Sequence, residues 1–327
     1  LARAGRSLRR FIAKSPRSAM LSGFSAERVN IEGDTFCVLG RVGGEERTVR
    51  ARSLVMALGG ESSLERARSA ELPDGQAVRD LPLGRVVTTD ELFRRGTENI
   101  ISGLPRRGPL RVAILGGSHS AYATAVTLLS HLGPENVRIE VLCRRLPKLF
   151  YPTLEAAHAE GYTQATPRDV CPVTKRVFRL AGLRLQARNL VRGVWGLGDA
   201  LPQPSVSIAH LADREPGYAS RALAQSDLAV LALGYTPRTI PFFDRGEAVP
   251  LLAHTGPRKP LVDGRCAVLG ANGAPLPRVF GLGLASGFVP HGAMGGEPSF
   301  DGQTNGLWLY QNDVGERVLE QVEATYR

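Results

Sequence analysis

The chain has 327 residues, 43% of them hydrophobic, enough to bury the cores of two α/β domains. Its longest apolar runs are of strand length, short of the roughly 20 residues that a membrane helix needs, so no membrane span is expected. The net charge of +10 is dispersed and carried mostly by arginine, only Lys14, Lys148, Lys175 and Lys259 being lysine; the aromatic-interleaved basic patch of a nucleic-acid binder is not there, and no nucleic-acid partner is expected.

In chain order, residues 1–23 read as a helix and a short strand. Arg3, Arg6, Arg9, Arg10, Lys14 and Arg17 have helical spacing with no acidic residue before Glu27. An organelle-targeting segment and a basic helix packed on the rest of the fold both fit, the second better. Residues 25–60 read as an antiparallel meander with EGDTFCVLG and EERTVRARSLVMALGG as strands. Pro73, Pro82, Pro105 and Pro109, with neighbouring glycines, mark a connecting region. Between Tyr151 and Val177 lies an irregular arginine-rich stretch, in which YPTLEAAHAEGY can form a short helix capped by Thr153 and DVCPVTKR is loop. Cys37, Cys143, Cys171 and Cys266 are widely separated with no C-x-x-C pair, which points to free thiols in a reducing, cytoplasmic setting, and Cys171 beside Pro172 reads as a packed residue. His131, His158, His210 and His254 show no ligand spacing, so no metal site is expected.

The chemistry-bearing stretch is Arg111 to Leu129, RVAILGGSHSAYATAVTLL: a short apolar strand, a glycine turn and an Ala-rich helix. That geometry aims unpaired N–H groups and the positive helix end at a pyrophosphate. Against the fingerprint G-x-G-x-x-G/A, Gly116 supplies the first glycine and Ala121 the last, while Ser118 takes the middle position where backbone approach matters. Gly117 and Ser120 complete the turn. His119 can donate to a phosphate or ribose oxygen, or cap the helix. VRIEVLC follows as the second parallel strand and ends in Arg144 and Arg145. An acidic residue near there holds the ribose in NAD-preferring sites, whereas arginine suits a 2′-phosphate, so NADPH is expected over NADH unless the pair is merely a solvated strand end.

Two further strands, SLVMALGG (residues 53–60, with Gly59) and DLAVLALGYTPR (residues 227–238, with Gly234 and Tyr235), end alike in a small residue and glycine. The pair resembles the A-T-G and A-T-G-Y-x-P strand ends of two-dinucleotide flavoproteins, the class of flavin-containing monooxygenases, lysine and ornithine N-hydroxylases and pyridine nucleotide-disulfide oxidoreductases. The resemblance implies an α/β architecture with a Rossmann-like NAD(P)-binding domain (108–240) inserted in an incomplete FAD-binding domain (1–107 and 241–327). RVFGLGLASG is similar to the last FAD-domain strand, with Gly283 and Ser286 at its glycine-rich end. A final helix would start at Thr304 or Asn305, near the flavin ring in the family, and pack through Leu307, Leu309, Tyr310, Val314, Val318, Leu319 and Val322; it also reads simply as a capped helix over a core. His291, before it, reads as a hydrogen-bonded loop residue, with a catalytic role as the alternative.

The family's opening strand–glycine turn–helix is not found in the 53 residues before the Ser53 strand, so the chain reads as lacking its first FAD-binding segment. The resemblance implies a small-molecule oxidoreductase with FAD and NADPH as cofactors: hydride transfer from NADPH to FAD, then oxygen activation. No acid–base residue is needed for that central step, so none is named as catalytic. An NAD(P)H:acceptor reductase and a redox-inactive nucleotide-binding regulatory protein remain as alternatives; disulfide reduction would need a closely spaced cysteine pair that this chain does not have.

Overall fold

Branched and aromatic residues alternating with polar ones build the first sheet, in which β1 (Phe24–Glu32), β2 (Thr35–Val42) and β3 (Glu45–Ala51) form an antiparallel meander. The β2–β3 link is Gly43-Gly44, with φ of 59° and 93°, conformations a tight hairpin requires and side chains resist. The computed structural model describes residues 2–104, 108–256, 259–283, 285–302 and 314–326. A meander is present as expected, but EGDTFCVLG is not one strand, since Gly33-Asp34 turns the chain from β1 into β2, and two further corrections apply. Residues 14–23 hold turns and no strand. The long segment EERTVRARSLVMALGG is not one strand, because the chain bends at Arg52-Ser53 and β4 (Leu54–Met56) leaves for a different sheet, where Met56 is buried. The basic N-terminal helix Ala2–Ala13 forms, but Phe11 is 74% exposed, so the expected packing of this helix on the core is not observed at its aromatic residue.

After the two-residue β5 (Gly60–Glu61), the chain builds an all-parallel sheet from β6 (Arg85–Thr88), β7 (Leu110–Leu115), β8 (Val137–Cys143), β9 (Val206–His210) and β10 (Leu228–Leu231), in the order β6-β10-β7-β8-β9. Strand β7 is central, as expected, pairing in parallel with β8 and β10. Both faces are covered, and the pleat shows which residue serves which. Leu110, Val112 and Ile114 join a core with Tyr122, Leu128 and Leu190, while Ala113 and Leu115 join a second core with Leu72, Val78 and Leu223. The helix His119–Leu132 covers the first face through Ala121, Tyr122, Ala125 and Leu128, a helical spacing, and ends at Gly133. The parallel sheet also takes in one strand from before residue 108. Strand β6 is its edge, and Ala67, Leu72, Val78 and Leu81 pack on its far face, because β10 offers an open parallel edge that only upstream chain fills. Within the insert, Thr153 caps the helix Leu154–Ala159 as expected, and Glu160 pairs with Arg192 at 2.7 Å and Arg188 at 3.2 Å, tying the irregular stretch to the helix Leu185–Trp195.

The return path runs through β11 (Thr236–Pro237), β12 (Phe242–Asp244) and β13 (Glu247–Val249), the last two extending the meander as β13-β12-β1-β2-β3. Finally β14 (Ala267–Leu269) and β15 (Pro275–Gly281) form a small sheet with β4, in which β15 and β4 are parallel. A third core of Val29, Phe36, Met56, Phe242, Val279 and Phe288 joins these sheets. The terminal helix is described from Gly315 to Ala324; Val314 and Val318 are buried and Val322 packs beside them, whereas Leu319 is 57% exposed and is no part of the packing face. Leu307, Leu309, Tyr310, Thr304 and Asn305 lie outside the described residues.

Candidate dinucleotide site

Strand β7 ends in a double glycine, and each glycine answers to a different neighbour. Gly116 has φ +137°, and a Cβ on it would stand 2.3 Å from the carbonyl oxygen of Ala232, just past β10. A Cβ on Gly117 would stand 2.8 Å from Cys143 Cβ and 2.9 Å from the carbonyl oxygen of Arg145, just past β8. The turn is therefore wedged between two strand ends. It lies where the strand order reverses, with β8 and β9 to one side of β7 and β10 and β6 to the other, the crevice at which open α/β sheets bind ligands. The close contacts of both glycines are with neighbouring strand ends; Ser118, at the fingerprint's middle position, is exposed and serves as N-cap residue with no side-chain cap bond. The N-cap side chain thus leaves the N–H groups of His119 and Ser120 uncapped, while Ala121 N–H donates to the Ser118 carbonyl oxygen at 3.0 Å.

His119 opens the helix, exposed, and is not its cap. Desolvation by its surroundings and the nearby Arg184 charge lower its pKa, which keeps the ring neutral at pH 7. Arg184 itself lies over the Phe150 ring at 3.6 Å and donates to the Arg179 carbonyl oxygen at 2.8 Å. Burial, with the Arg176 and Arg179 charges, pulls its pKa down to about 10 against the opposing pull of Glu297. It remains cationic at neutral pH. Sequence reading missed Arg184, since in so arginine-rich a chain nothing local marks it; its place just before the helix Leu185–Trp195 was the available signal.

Arg144 and Arg145 follow β8, beside the turn. The Arg144 carbonyl oxygen is 3.2 Å from His210 Nε2, and Arg145 Nη1 donates to Asp301 Oδ1 and Oδ2 at 2.8 and 2.6 Å. This ion pair holds the Asp301 carboxyl below the usual carboxylate range. Asp301 closes a loop that sequence reading left without a role. Glu297, 3% exposed, accepts from the N–H groups of Leu180 (2.9 Å) and Ala181 (2.8 Å), and Ser299 Oγ donates to Asp169 at 2.5 Å. Cys171, fully buried as expected, accepts from Gly296 N at 3.2 Å and Thr174 N at 3.4 Å.

The remaining residues meet where the two connections between the parallel unit and the rest run side by side. Strand β5 pairs with β11, Gly60 opposite Pro237 and Glu61 opposite Thr236. A Cβ on Gly60 would lie 3.0 Å from Tyr235 Cβ and 3.3 Å from Ala285 Cβ, so Gly59, Gly234 with Tyr235, and the Gly283–Ser286 bend converge at this crossing. The buried Ser286 accepts through its carbonyl oxygen from Leu261 N at 2.8 Å, a bracing contact. A cleft of ≈ 560 Å³ beside the crossing is lined by Arg66, Arg238, Thr239 and His254. His291 is a hydrogen-bonded loop residue, 3.2 Å from Arg317 Nη1. Among the described residues no helix is long and apolar enough to cross a membrane.

The fold and turn define an α/β chain whose parallel, dinucleotide-type sheet is joined to a second unit by adjacent connections. No family model matches it. It is similar to CMP-5'-(3-aminopropyl)phosphonate hydroxylase of Streptomyces rubellomurinus, 33% identical over 284 residues that cover 84% of this chain and 63% of the hydroxylase. The chain thus spans less than two thirds of the length of that relative. The strand-end resemblance read above is to two-dinucleotide flavoproteins as a class, whereas the similarity to this hydroxylase runs along most of the chain. Among solved structures, L-lysine 6-monooxygenase from Pseudomonas syringae is 16% identical with a TM-score of 0.49, covering 93% of this chain and 71% of that one. Ornithine N-hydroxylase from Kutzneria sp. 744 is 15% identical with a TM-score of 0.48, covering 100% of this chain and 77% of that one.

Proposed function

We propose that the chain forms the coenzyme-binding unit and part of the flavin-binding unit of an FAD- and NADPH-dependent monooxygenase that hydroxylates a small amine. The observation that carries this reading is the placing of the Gly116-Gly117 turn, seated between the ends of β10 and β8 at the reversal of strand order and directly before a helix N-terminus that no side chain caps. NADPH would lie with its pyrophosphate on the N–H groups from Gly117 to Ser120, Arg184 adding charge, and with neutral His119 and the Ser120 hydroxyl toward ribose oxygens. Arg144 and Arg145 would hold the 2′-phosphate. Gly234 and Tyr235 would line the way to the flavin, and Gly59, Gly283 and Ser286 would border it.

When bound, the two cofactors supply the redox chemistry, hydride from NADPH and oxygen activation on FAD. The chain's own residues bind, orient and exclude water. The hydroxylase relative is named for a CMP-linked aminopropylphosphonate, which makes an amine of that kind the first substrate to try.

The test is oxygen uptake by the protein as its native gene encodes it, with FAD and the amine present: uptake that requires NADPH and yields hydroxylated amine is expected. NADPH oxidation without hydroxylated product would favour the acceptor-reductase reading instead. For the coenzyme itself, replacing Arg144 and Arg145 together by Ala should weaken NADPH binding by about 1–3 kcal/mol, the scale of lost charged hydrogen bonds, and leave NADH nearly unchanged. Equal losses for both coenzymes in a fluorescence titration would remove the 2′-phosphate from these arginines.

A further inference from the structure

We infer that Asp301 narrows the coenzyme preference by competing with the 2′-phosphate for Arg145, an inference that rests on the reading of Arg145 given above. The Arg145 carbonyl oxygen is packed against Gly117, so its side chain starts beside the glycine turn. Its guanidinium is occupied there by a carboxylate 156 residues away in the chain, with both Asp301 oxygens on Nη1 at 2.8 and 2.6 Å. Asp301 does not reach this position by chance swinging. Two residues earlier, Ser299 is fixed by its Oγ on Asp169 and by its N–H on the Arg168 carbonyl oxygen at 3.0 Å, and Glu297 is buried on the N–H groups of Leu180 and Ala181. The docked loop therefore carries a negative charge from the second unit into the place where a coenzyme 2′-substituent meets Arg145.

The consequences differ for the two coenzymes. A 2′-phosphate must displace Asp301 or bind beside its charge, and it can displace it, because the phosphate carries more charge and more acceptor oxygens than a carboxylate while the existing pair is 70% and 61% exposed and screened by solvent. A bare ribose needs no displacement, and a carboxylate at this place can accept from its 2′-hydroxyl as the acidic residue of NAD-preferring sites does. Asp301 thus penalises the phosphorylated coenzyme, tolerates the other, and narrows the discrimination that Arg144 and Arg145 would otherwise give. Its role is exerted through Arg145, so it is a positioning and specificity residue.

The experiment titrates the full chain calorimetrically with 2′,5′-ADP and with 5′-ADP, in the wild type and in Asp301→Asn, Asp301→Glu and Arg145→Ala. Asp301→Asn should tighten 2′,5′-ADP roughly three- to tenfold at low salt, leave 5′-ADP unchanged or weaker, and lose most of that gain at high salt. Asp301→Glu should keep the wild-type ratio of the two affinities. A ratio unchanged by Asp301→Asn would make the contact an ordinary surface ion pair and overturn the inference. The Arg145→Ala arm isolates the underlying reading: it should weaken 2′,5′-ADP alone, and if it does not, Arg145 does not read the phosphate, whatever Asp301 does.

Discussion

Gly116→Ala should destabilise the parallel unit by about 3 kcal/mol or more and abolish NADPH binding, since it combines backbone strain with overpacking at a site that cannot relax. The methyl group would arrive 2.3 Å from the Ala232 carbonyl oxygen, from a residue whose φ of +137° already excludes side chains. Relief would require β7 and β10 to part. They are paired over Val112–Leu115 with Leu228–Leu231, and Ile114 and Leu231 are fully buried between the covering layers, so separation breaks ladder bonds and opens both cores. Gly234 provides the control: its φ of +90° strains any replacement, but nothing lies within 4 Å of its Cβ, so Gly234→Ala should lose only about 1 kcal/mol. Urea denaturation followed with a coenzyme titration separates the two. A Gly116→Ala protein with wild-type midpoint and affinity would mean that the turn is not seated between these strand ends.

What could be read in the sequence was local. Strands β7, β8 and β10 are short runs of branched residues, and the helix after Gly117 repeats its apolar positions at helical spacing, so these elements carry their own signal. The crossing of the two connections came only through the family resemblance, in which such strand ends mark the passages between two units, and β5 does pair with β11 there. What escaped was set by partners far along the chain. Strand β6 is four residues long and becomes part of the sheet only because β10 needs a neighbour. Nothing in RSLVMA announces the bend at Arg52-Ser53, since the segment is uniformly strand-like and the reason for leaving the meander is a parallel partner in β15. The N-terminal periodicity foretold a helix but not whether anything would pack on Phe11. The Arg145 and Asp301 pair has no local trace at all, and Thr304 and Asn305 lie outside the described residues.

Glu297→Ala should cost about 3 kcal/mol, release the loop that ends at Asp301, and shift coenzyme preference in the same direction as Asp301→Asn. Glu297 is 3% exposed, and its carboxylate is the acceptor for two backbone N–H groups, Leu180 and Ala181. Truncation leaves both donors without their acceptor in the interior, at roughly 1–3 kcal/mol for each unsatisfied group. The adjoining contacts cannot take up the load, because they depend on the same register: Arg179 donates to the Met294 carbonyl oxygen, and Gly296 N–H donates to Cys171 Sγ. Burial opposes ionisation of Cys171, but the donors from Thr174, Gly296 and Val173 outweigh it and bring the thiol down to about 7. Glu297→Gln keeps one carbonyl acceptor and should lose about half as much. Urea midpoints and limited proteolysis within residues 291–302 read the two effects. If Glu297→Ala keeps the wild-type midpoint and the loop stays resistant, the carboxylate is not what seats it; if the loop is released yet the 2′,5′-ADP to 5′-ADP ratio is unmoved, docking and coenzyme choice are independent.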